Sequence, residues 1–486
     1  MQRRDRIFGK LAGAALALAP AIILAQAAWA QTFTTLYSFS NTGTGGRPSA
    51  GLVQATNGDL YGTAGGTAFK ITPGGTPPTL TTICSSGCGG WLTQATNGDF
   101  FGTASQGGTY GFGTVFKMTL SGGTPTTLYS FNGYSDGGYP SASLLQATNG
   151  NFYGTTNQGG NYCGYGPSGC GTVFEITPDG DLTTLDSFCW NAGPCGTLQS
   201  ALPIAGLVQA TNGDLYGTTS GIWEGFNFAP TIFFSVTPSG TGKTLYTFGS
   251  QSGDGYDSLA ALVQGADGNF YGTTYHGGAY GYGTVFKITP SGGPPTTLYS
   301  FCKYSGCTDG AYPEAALVQA TDGNLYGTTS QGGSGTCTYP YTGCGTVFRI
   351  SPSGGTPTTL HNFAGYPTDG EVPLAGLVQA TNGDLYGTTS SGGTYNVGTV
   401  FSLSVGLGPF VETQTTSGKV GAAVKILGTD LTGATSVTFS GTNAVFDVES
   451  RSLITTTVPA GAATGKVQVT TPLGTLTSNV PFRVRP

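Results

Sequence analysis

One short phrase returns seven times along this chain of 486 residues and limits the available folds more than any other feature. It reads Asn-Gly-Asp-Leu-Tyr-Gly-Thr at 57–63, and later copies begin at Asn97, Asn149, Asn212, Asp267, Asp322 and Asn382. The copies lie 40 to 63 residues apart. Repeats of this length are typical of propellers and solenoids, in which each unit is one small supersecondary structure.

Each repeat predicts four strands, which we call A to D in chain order. In the segment 377–386, Asn-Gly separates two β-rich runs, and this pair favours a tight hairpin because both turn positions need a positive φ. The Gly-Thr-Val-Phe phrase at 283–286 predicts strand C, with apolar groups on both faces. After a Pro-Ser-Gly-Gly turn, Thr-Thr-Leu-Tyr-Ser-Phe at 296–301 predicts strand D.

The two ends of the repeat array predict a closed ring. A lone D strand at 34–39 precedes the first A strand, whereas the seventh repeat has a C strand at 398–403 and no D strand of its own. We therefore expect the first strand to complete the last repeat, which leaves only short, protected edges. The fold class predicted is all-β, with a seven-bladed β-propeller over residues 31–405.

The repeated phrases resemble the GloVer tandem repeat of "choice-of-anchor" bacterial surface proteins. The resemblance covers 31 to about 405 and implies an exported repeat protein, without catalytic residues to transfer. Residues 409–486 resemble an IPT/TIG domain in the phrases at 418–421, 424–429, 436–439 and 458–461. That resemblance implies an immunoglobulin-like β-sandwich, which the short alternating strands and glycine turns also favour.

The first thirty residues predict a secretory signal segment. Four basic residues stand at its start, an apolar run follows at 11–25, and small residues at 28 and 30 favour cleavage before Gln31. The apolar run is shorter than the ~20 residues that a spanning helix needs, so no membrane span is expected after signal removal. The mature protein is predicted to be secreted, extracellular or at the cell surface.

All ten cysteines fall in close pairs, which predicts five local disulfides in an exported chain. The pairs are Cys84/Cys88, Cys163/Cys170, Cys189/Cys195, Cys302/Cys307 and Cys337/Cys344. Zinc is the alternative, but no pair has Cys-x-x-Cys spacing and the chain has only two histidines. Each loop so closed is short, so each disulfide is expected to contribute at most about 2–3 kcal/mol.

The candidate binding surface is the side of the ring that carries the B–C loops and the D–A crossovers, because long segments and all the cysteine pairs fall there. Four crossover aspartates, each followed by Gly, are candidates for calcium or sugar hydroxyls, and the alternative is that Asp-Gly only forms the turn. These are Asp136, Asp254, Asp309 and Asp369. Nearby aromatic candidates are Tyr139, Tyr256 and Tyr312, with Trp190 and Trp223 in longer loops.

Catalysis is not predicted. His276 stands where sister repeats have Gln, and His361 replaces a D-strand Tyr, so both are interpreted as ordinary substitutions without an acidic partner. The net charge of −6 makes nucleic acid an improbable partner. We expect a monomeric interaction scaffold, without a cofactor, that recognises an extracellular polysaccharide or a surface protein. The alternative is a carbohydrate-active hydrolase or lyase, in which Asp136 and Asp309 face each other across a channel.

Overall fold

In a computed structural model of the chain, every repeat forms one antiparallel sheet with the strand order A-B-C-D. The structure describes residues 31–40, 45–74, 78–160, 169–189, 198–200, 202–224, 227–337 and 343–486, and omits the side chains of 222–224 and 227–228. Within these ranges, no helix combines the length and the apolar character that a membrane crossing requires. The predicted signal segment, 1–30, lies outside the described residues.

The strands of the first four repeats are β2 (Val53–Gln54), β3 (Leu60–Ala64), β4 (Thr67–Ile71), β5 (Leu80–Cys84); β6 (Leu92–Gln94), β7 (Phe100–Ala104), β8 (Thr114–Met118), β9 (Thr126–Ser130); β10 (Leu145–Gln146), β11 (Phe152–Thr156), β12 (Thr172–Ile176), β13 (Leu182–Cys189), with β14 (Leu198–Gln199) added in parallel; and β15 (Val208–Gln209), β16 (Leu215–Thr218), β19 (Ile232–Val236), β20 (Gly242–Thr247). A hairpin of β17 (Ile222–Glu224) and β18 (Asn227–Ala229) extends the fourth repeat.

The strands of the last three repeats are β22 (Val263–Gln264), β23 (Phe270–Thr274), β25 (Thr284–Ile288), β26 (Thr296–Ser300); β27 (Val318–Gln319), β28 (Leu325–Thr329), β29 (Thr346–Ile350), β30 (Thr358–Asn362); and β32 (Val378–Gln379), β33 (Leu385–Thr389), β35 (Thr399–Ser404). Two small ladders pair β21 (Gly255–Tyr256) with β24 (His276–Gly277) and β31 (Gly370–Glu371) with β34 (Ser391–Gly392). A 3₁₀ turn spans Ser305–Cys307.

The N-terminal strand β1 (Thr32–Ser38) completes the seventh sheet, as the sequence predicted. It pairs antiparallel with β35, from Thr32 opposite Ser404 to Ser38 opposite Thr399. The next residue, Phe39, is fully buried, and its ring lies edge-on to that of Phe69 in the first repeat, with 5.2 Å between centroids. The chain start therefore joins the last repeat to the first, and the array is all-β and propeller-like.

The glycine in the middle of each B strand is required by a close approach. A Cβ at Gly387 would lie 2.5 Å from the ring of Phe401 on the neighbouring C strand, and one at Gly62 would lie 2.7 Å from Phe69. The C-strand phenylalanine thus lies directly against the B-strand backbone, where a side chain would clash. This contact explains why the phrase Tyr-Gly-Thr recurs.

A ladder of glutamines links the A–B turns of neighbouring repeats. Each Nε2 donates to a glycine carbonyl of its own turn, at 2.9–3.3 Å. In six of them Oε1 also accepts a backbone N–H from the preceding repeat, at 2.8–3.0 Å. The seven residues are Gln54, Gln94, Gln146, Gln209, Gln264, Gln319 and Gln379. All A–B turns therefore lie on one side, which we call the turn face.

Residues 409–486 form two four-stranded antiparallel sheets around one apolar core. The strands, in sheet order, are β36 (Glu412–Thr413), β38 (Ala423–Leu427), β42 (Leu453–Thr457), β41 (Phe446–Val448) and β40 (Thr442–Ala444), β39 (Ser436–Phe439), β43 (Val467–Thr471), β44 (Gly474–Thr477), with β37 (Ser417–Lys419) parallel to β45 (Arg483–Arg485). Ile426 and Ile454 of one sheet pack with Val437 and Val469 of the other.

This C-terminal segment lies against the turn face. Ser452 Oγ donates to the carbonyl of Thr56 at 2.9 Å, and Lys425 Nζ donates to that of Thr96 at 2.7 Å. The Thr381 and Thr429 hydroxyls are 2.8 Å apart, and Arg483 donates to the carbonyl of Thr211. These contacts reach the turns of the first, second, fourth and seventh repeats. Thr56 and Thr381 are buried, whereas Thr96 and Thr211 stay exposed, so the segment covers the turns of the first and seventh repeats.

Candidate binding face

The opposite ends of the strands carry the B–C loops and the D–A crossovers, and we call this side the loop face. The crossovers that enter the third, fifth, sixth and seventh repeats are each tied to the B–C loop of that repeat. Gly138 bridges Gln158, Gly255 and Tyr256 pair with Gly277 and His276, and Ala311 bridges Gln331. The loops of this face are thus supported by short backbone ladders, although their lengths differ from repeat to repeat.

The disulfides lie on the loop face. Cys84–Cys88, Cys302–Cys307 and Cys337–Cys344 are bonded as the sequence predicted. Cys170 and Cys189 are also disulfide-bonded, while their predicted partners, Cys163 and Cys195, lie outside the described residues. Glu371 Oε2 is 2.8 Å from Cys337 Sγ, and burial raises the pKa of this carboxyl group.

The four predicted aspartates all turn toward the D strand that precedes them. Asp136 Oδ2 accepts from the Tyr129 hydroxyl and the Asn132 N–H, both at 2.9 Å. Asp254 and Asp309 accept from the D-strand tyrosines Tyr246 and Tyr299, at 2.5 and 2.7 Å, and Asp369 lies 2.8 Å from His361 Nε2. Each carboxylate is therefore occupied in fixing its own crossover, as a structural turn residue would be.

Burial and a hydrogen bond to the crossover aspartate both raise the pKa of the D-strand tyrosines. Burial, and then the hydrogen bond to Asp136, raises the pKa of Tyr129 to about 12. The same two causes raise the pKa of Tyr246 and of Tyr299. The tyrosine hydroxyls thus remain protonated donors at neutral pH.

Among the described residues, the crossover carboxylates do not gather into a group that could hold a metal ion. Over the described ranges, the His, Cys, Asp and Glu side chains whose ligand atoms gather within 4.8 Å are Cys337, Cys344 and Glu371. The two sulfurs of that group are bonded to each other, so neither is a thiolate ligand. Each crossover aspartate lies in a different loop.

The aromatic candidates are half-buried between loops. Tyr139 and Tyr312 occupy the same crossover position, each just before a proline and with φ of 54° and 55°. Tyr139 packs edge-on to Phe112, and Tyr312 packs against Tyr275 and Tyr282. Trp190 lies outside the described residues, and of Trp223 only the backbone is described, in β17.

Both histidines have an acidic partner, so the interpretation of them as unpartnered substitutions was wrong. His276 Nδ1 lies 2.7 Å from Asp257 Oδ2, and His361 Nε2 lies 2.8 Å from Asp369 Oδ2. The partner of His276 is 19 residues away and is brought near by the β21–β24 ladder. His361 is also stacked on Phe33, with centroids 3.5 Å apart, which places it in the packing of the outer strand.

Sequence reasoning missed the most exposed side chains of the loop face. Six tyrosines have 45–66% of their surface exposed, and all lie in B–C loops or crossovers: Tyr110, Tyr134, Tyr280, Tyr304, Tyr366 and Tyr395. The other large apolar side chains that are exposed, over the described residues, belong to the C-terminal segment. A signal was present, since Gly-Gly-x-Tyr recurs in the B–C loops at 107–110, 277–280 and 392–395.

Two family models match the chain. The model described as the Gloeobacter/Verrucomicrobia repeat matches residues 64–259 and 222–445. The model of the IPT/TIG domain matches residues 409–484. Among curated proteins, no sequence match is found.

Solved structures resemble the chain in fold only. A fungal alcohol oxidase of the AA5 family, solved with copper, is 14% identical with a TM-score of 0.50, over 94% of this chain and 99% of its own. Virginiamycin B lyase from Staphylococcus aureus is 13% identical with a TM-score of 0.46, over 77% of this chain and 98% of its own. At this identity neither likeness carries chemistry to the present chain.

Proposed function

The chain belongs to the Gloeobacter/Verrucomicrobia repeat family and carries an IPT/TIG domain behind the repeats, and from this we propose an exported scaffold that binds an extracellular polymer or a surface partner through its loop face. In this proposal the seven sheets are the blades of one closed propeller, and residues 409–486 form an immunoglobulin-like sandwich. The signal segment at 1–30 directs export, and the disulfides fit an oxidising compartment.

The observation that carries the proposal is the placement of the six exposed tyrosines. An exposed tyrosine offers a flat apolar ring and a hydroxyl that donates and accepts hydrogen bonds, a combination suited to sugar rings and to protein surfaces. Exposed aromatic rings are enriched at binding surfaces. Within the described residues of the repeats these exposed rings are restricted to the loop face, and this favours the loop face as the contact surface.

A second function, the carbohydrate-active hydrolase or lyase, is favoured by one specific observation. The His276–Asp257 pair is the kind of group that transfers protons in catalysis, because the carboxylate orients the imidazole and stabilises its charged form. The crossover aspartates are less suited to this role because each is hydrogen-bonded within its own loop.

The test uses residues 31–486 with insoluble cell-wall and plant polysaccharides, and measures loss of protein from the supernatant and release of reducing ends in the same tubes. Binding without new reducing ends is expected. The variant Tyr110→Ser, Tyr280→Ser, Tyr395→Ser should bind at least about tenfold more weakly, as the loss of several contact residues predicts. The matched control, Val420→Ser, Val445→Ser, Leu473→Ser, changes exposed apolar residues of the C-terminal segment and should bind normally.

Two results would overturn the binding proposal. Equal binding by both triple variants would remove the loop face from the contact. New reducing ends that the wild-type chain releases would instead establish the hydrolase or lyase.

A further inference from the structure

Four neighbouring residues at the entry to the fifth repeat depart from the residues of the sister repeats. Tyr256 stands where other crossovers have Gly138 and Ala311, and Asp257 where they have Tyr139 and Tyr312. In the B–C loop, Tyr275 stands in the position of Ser105, Asn157 and Ser330, and His276 in that of Gln106, Gln158 and Gln331. The backbone conformation is repeated, but at these four positions the fifth repeat has side chains that the third and sixth repeats do not have.

The four residues meet in space. The β21–β24 ladder sets Tyr256 opposite His276, and the two rings are nearly parallel, with centroids 5.4 Å apart. Tyr275 is edge-on to His276 at 4.5 Å, and its N–H donates to the Asp257 carbonyl at 2.8 Å. Asp257 Oδ2 lies 2.7 Å from His276 Nδ1. The four residues that differ from their counterparts in the sister repeats thus form one cluster.

The cluster continues onto the next crossover. The Tyr312 ring lies 4.7 Å from that of Tyr275 and 5.7 Å from that of His276, and Tyr282 adds an edge contact at 5.3 Å. All these side chains are partly open to solvent, and 37% of the His276 side chain is exposed. The result is a partly exposed group of aromatic rings that contains one polar pair, Asp257 and His276.

Folding does not explain the polar pair. Asp257 has a φ of 57°, and at the same position Tyr139, Tyr312 and Val372 adopt 54° to 56°, so the backbone does not need an aspartate there. A histidine–aspartate pair with 37% and 20% of its side chains exposed contributes little to stability. A pair without a structural necessity, in an aromatic setting, is the usual composition of a ligand site.

We propose that Asp257, His276, Tyr256 and Tyr275 form a binding subsite for one uncharged sugar unit of a polysaccharide. The subsite rests on the proposed function, which it makes specific. With the Nδ1 proton directed to Asp257, His276 Nε2 accepts a hydrogen bond from a sugar hydroxyl, and the tyrosine rings contact the apolar face of the sugar. The negative charge of Asp257 and the net charge of −6 disfavour an anionic sugar.

Sister residues supply variants that are compatible with the fold. His276→Gln and Tyr275→Ser restore residues that other repeats carry at these positions, and Tyr256→Ala restores the equivalent of Ala311. Asp257→Asn keeps the size of the side chain and tolerates the left-handed backbone. The matched control is His361→Tyr, which also removes a histidine and restores the D-strand residue of Tyr129, Tyr246 and Tyr299.

The experiment is calorimetric titration of residues 31–486 with cellohexaose, xylohexaose and mannohexaose. At least one should bind the wild-type protein, and His276→Gln, Asp257→Asn and Tyr256→Ala should each weaken it about tenfold, as expected for a lost hydrogen bond or ring contact. His361→Tyr should bind as the wild type does. Melting curves of all variants check that each is folded.

Each contrary outcome has one meaning. If the exposed-tyrosine variants lose polysaccharide binding while His276→Gln and Asp257→Asn keep hexaose affinity, the subsite is wrong and the loop-face proposal stands. If no hexaose binds but an acidic polysaccharide does, the uncharged ligand is wrong. If reducing ends appear and vanish in His276→Gln, the pair is catalytic and the subsite reading is overturned. If the wild type binds nothing in either experiment, the subsite is wrong and polysaccharide is the wrong partner class for the loop face.

Discussion

The turn face and the loop face are built by the same seven repeats, yet one is uniform and the other varied. On the turn face every repeat places a glutamine at the end of strand A and bonds it to its own turn. On the loop face, equivalent positions hold Gly, Ala, Tyr, Asp or Val. Neighbouring repeats are bonded on both faces, but on the loop face the backbone makes the bond, as from the Tyr139 N–H to the Phe112 carbonyl at 2.7 Å and from the Tyr312 N–H to the Tyr282 carbonyl at 2.9 Å. The contrast teaches that a backbone bond leaves the side chain at that position free to diverge, whereas the glutamine side chains of the turn face are themselves the bonding groups.

The largest expected effect concerns ring closure, on which the continuity of the glutamine ladder depends. Deleting residues 31–40 removes the outer strand of the seventh sheet and the buried ring of Phe39, and exposes the edge of β35. We expect a loss of about 5 kcal/mol or more in the free energy of unfolding, since the buried Phe39 and the partly buried Phe33, Leu36 and Tyr37 go with the strand. A melting curve like that of the full chain would contradict closure.

The next effect is the loss of stability at high pH, compared between a tyrosine on the turn face and a tyrosine on the loop face. Burial, as the main cause, raises the pKa of Tyr386 beside the A–B turn and of Tyr129 beside the loops, each to about 12. An unfolded tyrosine ionises near pH 10, so the stability that these hydroxyls contribute is complete below about pH 10 and is lost as the pH rises toward 12.

Melting temperatures of the wild type, Tyr386→Phe and Tyr129→Phe, measured at pH 8, 10, 11 and 12, check this prediction. Each variant lacks one late-ionising hydroxyl, so its decline above pH 10 should be shallower than that of the wild type. The melting temperatures at pH 8 give the effect of each substitution while the tyrosines are still protonated. A variant that declines as steeply as the wild type would show that its hydroxyl is not coupled to folding.

The smallest effect is the loss of stability when a single glutamine is replaced, compared between the turn face and the loop face. Gln379 is buried and bonds Thr321 of the preceding repeat and Gly383 of its own turn, whereas Gln106 is exposed in a B–C loop. Gln379→Ala should cost about 1–3 kcal/mol, because it leaves the carbonyl of the buried Gly383 and the Thr321 N–H without this partner. Gln106→Ala should change stability by less than about 0.5 kcal/mol. Equal values in urea unfolding would remove the distinction between the faces.

Much of the architecture could be predicted because it is local. The Asn-Gly turns, the lone strand before the first repeat and the close cysteine pairs are all read from adjacent residues, and the A–B turns, the β1–β35 pairing and three disulfides agree with them. Asp59 belongs to the A–B turn, and its N–H donates to Asn57 Oδ1 at 3.1 Å.

What was missed depends on contacts between distant segments. A glutamine in a strand resembles any solvent-facing polar residue until neighbouring repeats are placed side by side. The partner of His276 became visible only when a crossover and a loop were paired. Nothing in the sequence of residues 409–486 indicates which face of the ring they contact, because that depends on the shapes of two folded surfaces.

The spread of exposed tyrosines over several loops has a kinetic consequence. If the loop face binds a long repetitive ligand, as proposed, each ring would form one weak contact that breaks and re-forms independently, while its neighbours hold the chain nearby at high effective concentration. Dissociation then requires all contacts to open together, so residence time grows steeply with the number engaged. A polymer would dissociate slowly from such a surface, while the bound segment could still slide along it by exchanging one contact at a time.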